Sequence, residues 1–137
     1  MQLINAVGQP GINMAQEDKK KFVLVVDDQP KLLKFIEIDL KLRGFDVITT
    51  SDPEEALALI KEANPDIALL DMVMPRMNGF EVIRKIRAEN DHLPIIAFSA
   101  SPGNQDAAME AGADDFMHKP FDPDVMARRI TKLLEPG

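Results

Sequence analysis

Lys21-Phe22-Val23-Leu24-Val25-Val26-Asp27-Asp28 reads as a strand that stops on two carboxylates. Three later segments repeat the arrangement. Asp66-Ile67-Ala68-Leu69-Leu70 stops at Asp71, Leu93-Pro94-Ile95-Ile96-Ala97-Phe98 at Ser99, and Asp114-Asp115-Phe116-Met117-His118 at Lys119-Pro120. Phe45-Asp46-Val47-Ile48-Thr49 is the second of five strands. From Lys21 onward strands alternate with helices, which predicts a parallel sheet with helices on both faces. In such a sheet ligands bind at the carboxyl ends of the strands, where the strand order reverses. Three acids, a hydroxyl and a lysine therefore converge on one edge, the residue set of a phosphate and divalent-metal site.

Helix signals fill the gaps. Pro30 to Arg43 has Pro in its first turn and Gly44 at its close, the usual asymmetry. Ser51 or Asp52 caps a helix from Pro53 to Ala63, ended by Asn64-Pro65. After Asp71 the stretch Met72 to Met77 is loop, then Asn78 caps a helix to about Ala88. Pro123 to Leu134 is the last helix. Between Ser101 and Gly112 the breaker pair Pro102-Gly103 leaves about two helical turns, Asn104 to Ala111. A helix that short is marginal alone, so this region is expected to be among the more mobile. Residues 1–20 lack either period and read as a flexible tail or a misassigned start, with Met14 a second candidate initiator.

Composition narrows the function. The 137 residues make one domain, here residues 21–135, with a core large enough to need no staples. With no cysteine there are no disulfides or thiolate metal sites, which fits a reducing, cytoplasmic compartment. No apolar run approaches the roughly 20 residues that cross a bilayer. A net charge of −7, with no basic stripe, argues against nucleic acid as a partner.

The acids come first in the chemistry. Carboxylates about 4 Å apart repel by a few kcal/mol at an effective dielectric near 20, a cost that a hard cation among them offsets. Oxygen ligands without cysteine or a well-placed histidine point to Mg²⁺ or Mn²⁺. Asp27 and Asp28 project differently, so one ligates directly and the other through water; an Asp pair before Pro30 also reads simply as a helix cap. Asp71 is the candidate nucleophile, able to hold an aspartyl phosphate, or else a turn residue. Lys119 supplies a fixed cation and Ser99 a hydroxyl donor, unless they are a solvated lysine and a turn serine. Each bland reading stands singly; their coincidence does not.

The order of these residues resembles the receiver domain of two-component response regulators, of the stand-alone, chemotaxis-regulator-like kind. It covers residues 21 to about 135 through Val25-Val26-Asp27-Asp28, Leu70-Asp71-Met72-Val73-Met74-Pro75-Arg76-Met77-Asn78-Gly79, Phe98-Ser99-Ala100, Glu110-Ala111-Gly112-Ala113-Asp114-Asp115-Phe116 and Lys119-Pro120-Phe121. The resemblance implies a three-layer, doubly wound α/β fold with five parallel strands in the flavodoxin-like order 2-1-3-4-5. It implies that Asp71 accepts a phosphoryl group from phosphohistidine on a sensor histidine kinase or a histidine phosphotransfer protein. Asp28, Asp71 and the Val73 backbone carbonyl would bind Mg²⁺, with Asp27 assisting through water. Lys119, before a cis proline, would grip the phosphate, with the Met72 and Ala100 backbone assisting. Ser99 would move onto the phosphate and Phe116 swing inward, changing the face of the fourth helix, fifth strand and fifth helix for a downstream protein target. The chain would be a regulatory domain that assists its own phosphotransfer, rather than an enzyme with external turnover.

Some residues depart from that pattern. Ser99 stands where threonine is commoner, and Phe116 where tyrosine is also frequent. Ser99 to Lys119 is two residues shorter than usual, and the loss falls near Pro102-Gly103. Two alternatives are disfavoured. A phosphohydrolase of the haloacid dehalogenase type needs an aspartate where Val73 stands. A flavodoxin-type FMN carrier needs a hydroxyl- and glycine-rich loop where Asp27-Asp28-Gln29-Pro30 would repel phosphate. No effector segment follows Gly137, so output is expected to lie in protein contacts.

The first helix is apolar on two sides. Leu33, Ile36 and Leu40 form one face, and Phe35, Ile38 and Leu42 cluster nearly opposite. Either neighbouring helices cover the second group or it is a docking patch for a kinase or phosphotransfer helix. His92 and His118 read as ordinary loop and strand-end residues.

Overall fold

In a computed structural model, which describes residues 20–75, 78–101 and 103–136, the expected alternation is present throughout. The tail, apart from Lys20, and the motif residues Arg76, Met77 and Pro102 lie outside the described residues. The elements are β1 Phe22–Val26, α1 Pro30–Leu42, β2 Asp46–Thr50, α2 Pro53–Ala63 and β3 Ile67–Asp71, then α3 Gly79–Glu89, β4 Ile95–Ser99, α4 Asn104–Ala111, β5 Asp115–His118 and α5 Pro123–Leu134. The five strands are parallel in the order β2-β1-β3-β4-β5.

Local chemistry accounts for the boundaries. Asp52, not Ser51, caps α2 by accepting from the Glu54 N–H. Asn78 caps α3 through the Glu81 N–H, and Asp122 caps α5 through the Asp124 N–H. Asn64 ends α2 in the left-handed conformation that asparagine tolerates. Asp66, expected as the first residue of β3, lies just before it and accepts the Phe22 N–H at 2.7 Å. Leu93 likewise precedes β4.

Strand alternation divides the core into two layers. Val23, Val25, Ile67, Leu69, Ile96 and Phe98 pack with Leu33, Ile36 and Leu40 of α1 and Met126 and Ile130 of α5. Leu24, Val26, Ala68, Leu70, Ile95 and Ala97 face α2, α3 and α4 on the other side. β3 and β4 are buried along their whole length, with Asp71 and Ser99 at their ends. Burial of this apolar surface drives folding and forces those polar ends into a poorly solvated edge.

The opposite edge is tied by a residue that periodicity does not distinguish. Arg87 of α3 donates to the carbonyls of Gly112 at 2.9 Å and Leu93 at 2.8 Å, and to Asp114 Oδ2 at 3.0 Å. Asp114 Oδ2 also accepts the Ile95 N–H at 2.8 Å, so one carboxylate joins α3 to the start of β4. Gly112 adopts φ +126° and sits so close that a Cβ there would lie 2.8 Å from Arg87 Cγ. Both its conformation and its contact require glycine.

Removing the guanidinium would strand those acceptors, and a charged hydrogen bond contributes about 1.5–3 kcal/mol. Arg87→Met is expected to lower the unfolding free energy by about 2 kcal/mol, read by urea denaturation followed by circular dichroism. Arg87→Lys is expected to recover little, because an ammonium cannot present the planar fork.

Candidate functional site

β1, β3, β4 and β5 end side by side, which gathers residues separated by up to 92 positions. Asp27 follows β1, fully buried, and its N–H continues the sheet by donating to the Thr50 carbonyl at 3.2 Å. Asp28, next in sequence, is exposed. Asp71 closes β3 and is only 3% exposed. Lys119 follows β5, and its N–H donates to the Ser99 carbonyl at 2.9 Å. The Lys119-Pro120 bond is cis, as expected.

One ammonium serves the whole cluster. Lys119 Nζ lies 2.8 Å from Asp27 Oδ2 and 3.3 Å from Asp71 Oδ2, and donates to Gln29 Oε1 at 3.0 Å. It also sits 5.2 Å from the centroid of the Phe98 ring. Gln29, which sequence reading did not single out, therefore helps aim the lysine, and its own N–H donates to Asp27 Oδ1 at 2.7 Å. The spacing to Lys119, 90 positions away, hides that role in the linear chain.

Asp71 is held from its own loop as well. The Val73 N–H donates to Asp71 Oδ1 at 3.2 Å, and the Val73 side chain is exposed. The N–H of Met72 continues the ladder to the Phe98 carbonyl at 2.9 Å. The expected phosphate donor at Met72 is thus corrected: its N–H is committed to the sheet, and the amide directed at the acceptor carboxylate is that of Val73. Gly79, at the start of α3, approaches closely enough that a Cβ would lie 2.8 Å from the Asp71 carbonyl oxygen and 2.6 Å from Met72 Cα. Glycine there is a packing requirement of the acceptor loop.

The remaining expected residues occupy a ring around this centre. Ser99 is fully buried at the end of β4, one residue beyond Phe98, the register partner of Asp71. Ala100 follows it at the mouth of a groove that runs past Lys119, Pro120 and Phe121 to Leu32 and Phe35 of α1. Phe35 and Ile38 are half exposed and Leu42 is 84% exposed, whereas Leu33, Ile36 and Leu40 are buried. Among the described residues, nothing buries the second apolar face of α1. Phe116 lies on β5. Its ring is 4% exposed, already within the core layer of α2, α3 and α4, and meets His118 edge-on at 5.0 Å. The inward position is the one present.

The donor set fits a hard divalent cation. Asp27, Asp28 and Asp71 each offer a carboxylate oxygen, all within 4.8 Å of one another. Asp27 Oδ2 is buried and makes no hydrogen bond despite the nearby ammonium. A buried carboxylate oxygen in that condition carries a desolvation penalty that a cation would relieve.

Burial pushes the Asp71 carboxyl above its ordinary range, and the Asp27 charge adds to the rise. The Val73 N–H and Lys119 act against it. A raised carboxyl pKa means that the folded chain holds this proton more tightly than the unfolded one. Ionised Asp71 therefore costs stability above its folded pKa, and the cost disappears as pH falls below the unfolded value. In metal-free buffer at pH 7, Asp71→Asn is expected to melt a few degrees above wild type, and the gap to close as pH falls through the carboxylate range. Adding Mg²⁺ is expected to raise the melting temperature of wild type more than that of Asp71→Asn.

Comparison with known proteins agrees with this geometry. A family model described as "Response regulator receiver domain" matches residues 23–131. The DNA-binding response regulator MtrA of Mycolicibacterium smegmatis is 39% identical over 114 residues, which cover 82% of this chain and 50% of that protein. The receiver domain of the Francisella response regulator 1452 superposes with a TM-score of 0.79 at 33% identity, covering 84% of this chain and 97% of that one. The chemotaxis response regulator CheY4 of Vibrio cholerae gives 0.78 at 29% identity, covering 85% of this chain and all (100%) of that one. The chain spans about half the length of the curated relatives it matches. Among the described residues no helix is long and apolar enough to cross a membrane.

Proposed function

The chain belongs to the response regulator receiver domain family, and we propose that it takes a phosphoryl group from phosphohistidine onto Asp71 and signals through its altered protein-binding surface. The observation that carries this reading is a buried carboxylate at a strand end, next to a second buried acid and 3.3 Å from a lysine that faces both.

The chain's own residues have separable tasks. Asp71 supplies the attacking oxygen; a P–O bond forms while the P–N bond breaks with its electron pair on the imidazole nitrogen. The Val73 N–H, already on Asp71 Oδ1, orients the carboxylate. Lys119 holds positive charge where negative charge develops on the transferred group. Asp27 and Asp28, with Asp71 and the Val73 carbonyl, would hold Mg²⁺ (Mn²⁺ is an equivalent hard cation), and the ion when bound neutralises phosphoryl charge. The Ser99 hydroxyl and the Ala100 N–H are the donors for phosphoryl oxygens on the β4 side. Phe116, packed inward, holds β5 in the arrangement that this contact favours. The role is regulatory, with phosphotransfer assisted by the domain itself.

The partner reads from the surface. Phe35, Ile38 and Leu42 form an apolar face continuous, through Phe35, with the groove that Lys119 and Ala100 line. A helix of a sensor histidine kinase or histidine phosphotransfer protein laid on that face would bring its histidine to Asp71. The net charge of −7 favours protein over nucleic acid as the target of this domain. DNA binding named for MtrA belongs to that protein, of which this chain matches half. A cytoplasmic setting accords with the absence of cysteine.

Incubation with acetyl phosphate is expected to add one phosphoryl group by intact mass, lost in Asp71→Asn and in chelator. Absence of the adduct, together with no response to the phosphoryl mimic beryllofluoride, would reject Asp71 as the acceptor. Ile38→Glu is expected to slow transfer from the cognate phosphohistidine protein by about tenfold, the scale of a buried apolar anchor, while acetyl phosphate labelling and melting temperature stay unchanged.

A further inference from the structure

A serine hydroxyl has two acceptor lone pairs and one proton. At Ser99 both lone pairs are engaged. The Ser101 N–H donates to Oγ at 3.0 Å, and the side-chain amide of Asn104 donates to it at 2.9 Å. Ser99 is fully buried, so its proton is the one valence left to serve an acceptor at this end of the sheet. The acceptor that phosphorylation would create is on Asp71, across the β3–β4 pairing from Ser99.

Asn104 is the first residue of α4, one position inside the cap residue Gly103, and no side chain caps the helix start. Its amide reaches back to β4. The buried residues of α4 are Ala108 and Ala111, both small and both toward its far end. Its first turn has no large apolar anchor, and only residues 100–103 separate it from β4. The bond to Ser99 is thus a principal hold on that turn.

We propose that Asn104 is a positioning residue for Ser99 and the link through which Ser99 moves α4. By keeping the hydroxyl oxygen an acceptor, it presents the proton to a phosphoryl oxygen. As Ser99 shifts toward that oxygen, the bond draws the first turn of α4 after it. This rests on the reading of Asp71 as phosphoryl acceptor.

The test uses beryllofluoride with Mg²⁺ as the probe, titrated against the whole chain and followed by NMR, with hydrogen exchange of the α4 amides recorded before and after. Asn104→Ala is expected to weaken beryllofluoride binding about fivefold, the worth of one neutral hydrogen bond, with Mg²⁺ affinity unchanged and the melting temperature lowered by a few degrees for the bond lost to buried Ser99. The exchange of α4 is expected to stop responding to the probe. Asn104→Asp keeps the shape and favours a helix start, yet it turns the donor into an acceptor that competes for the Ser99 proton. A larger loss is expected there. In a Ser99→Ala background, Asn104→Ala should add nothing, because its effect passes through the hydroxyl. Full affinity and an unaltered α4 response in Asn104→Ala would overturn the inference. So would an equal loss in the Ser99→Ala background, which would mean a helix-packing effect. If wild type itself neither binds beryllofluoride nor takes a phosphoryl group, the Asp71 reading falls and this inference with it. If wild type does both and the Asn104 variants match it, only the inference falls.

Discussion

Two buried carboxylates face one ammonium at the carboxyl edge of the sheet, and Gln29 braces that trio by bonding to both the lysine and Asp27. Asp27 and Asp71 repel by a few kcal/mol at the separations of this cluster. Lys119 offsets that repulsion from 2.8 and 3.3 Å. Buried ionic groups seldom stabilise a fold, because lost hydration roughly cancels the attraction. The cluster is therefore an acceptor of charge: Asp27 keeps a buried oxygen without a hydrogen bond, and Asp71 carries a raised carboxyl pKa. A cation would relieve a condition that the apolar strands impose by burying the cluster.

The two ends of the sheet divide the labour. At the amino end Arg87, Asp114 and Asp66 use charged and capping hydrogen bonds to pin α3, β4 and β1. At the carboxyl end the same backbone register brings Asp71 beside Phe98 and Ser99 beside His118. The Lys119 N–H on the Ser99 carbonyl then couples the hydroxyl residue to the lysine through the main chain. α4, the shortest helix among the described residues, leaves this end with small buried residues and a side-chain bond to Ser99.

Much of this was legible in the chain. The Pro30, Pro53 and Pro123 starts, the Asn78 cap and the length of α4 all agree with the structure. So does the convergence of Asp27, Asp71, Ser99 and Lys119, since parallel strands must end on one edge. The two faces of α1 were visible as a pattern, but whether a neighbour covered Phe35, Ile38 and Leu42 was not. Strand ends slipped by a residue where a polar side chain caps the strand from outside, as Asp66 does. The donor role expected of Met72 failed because a backbone N–H has one proton, and the ladder to Phe98 takes it. Gln29, Asn104 and Arg87 carried no motif, because each acts on a residue that the fold alone brings near.

Residue order settled the α/β alternation, the chemistry at each strand end and the family resemblance, since these depend on local propensity and on which polar residue closes an apolar run. The three-dimensional arrangement settled which atoms meet: the ammonium shared by Asp27, Asp71 and Gln29, the single amide left for Asp71, the inward ring of Phe116 and the grip of Asn104 on Ser99. Hydrogen bonds are decided within a few tenths of an ångström. Only packing between elements distant in the chain sets distances that finely.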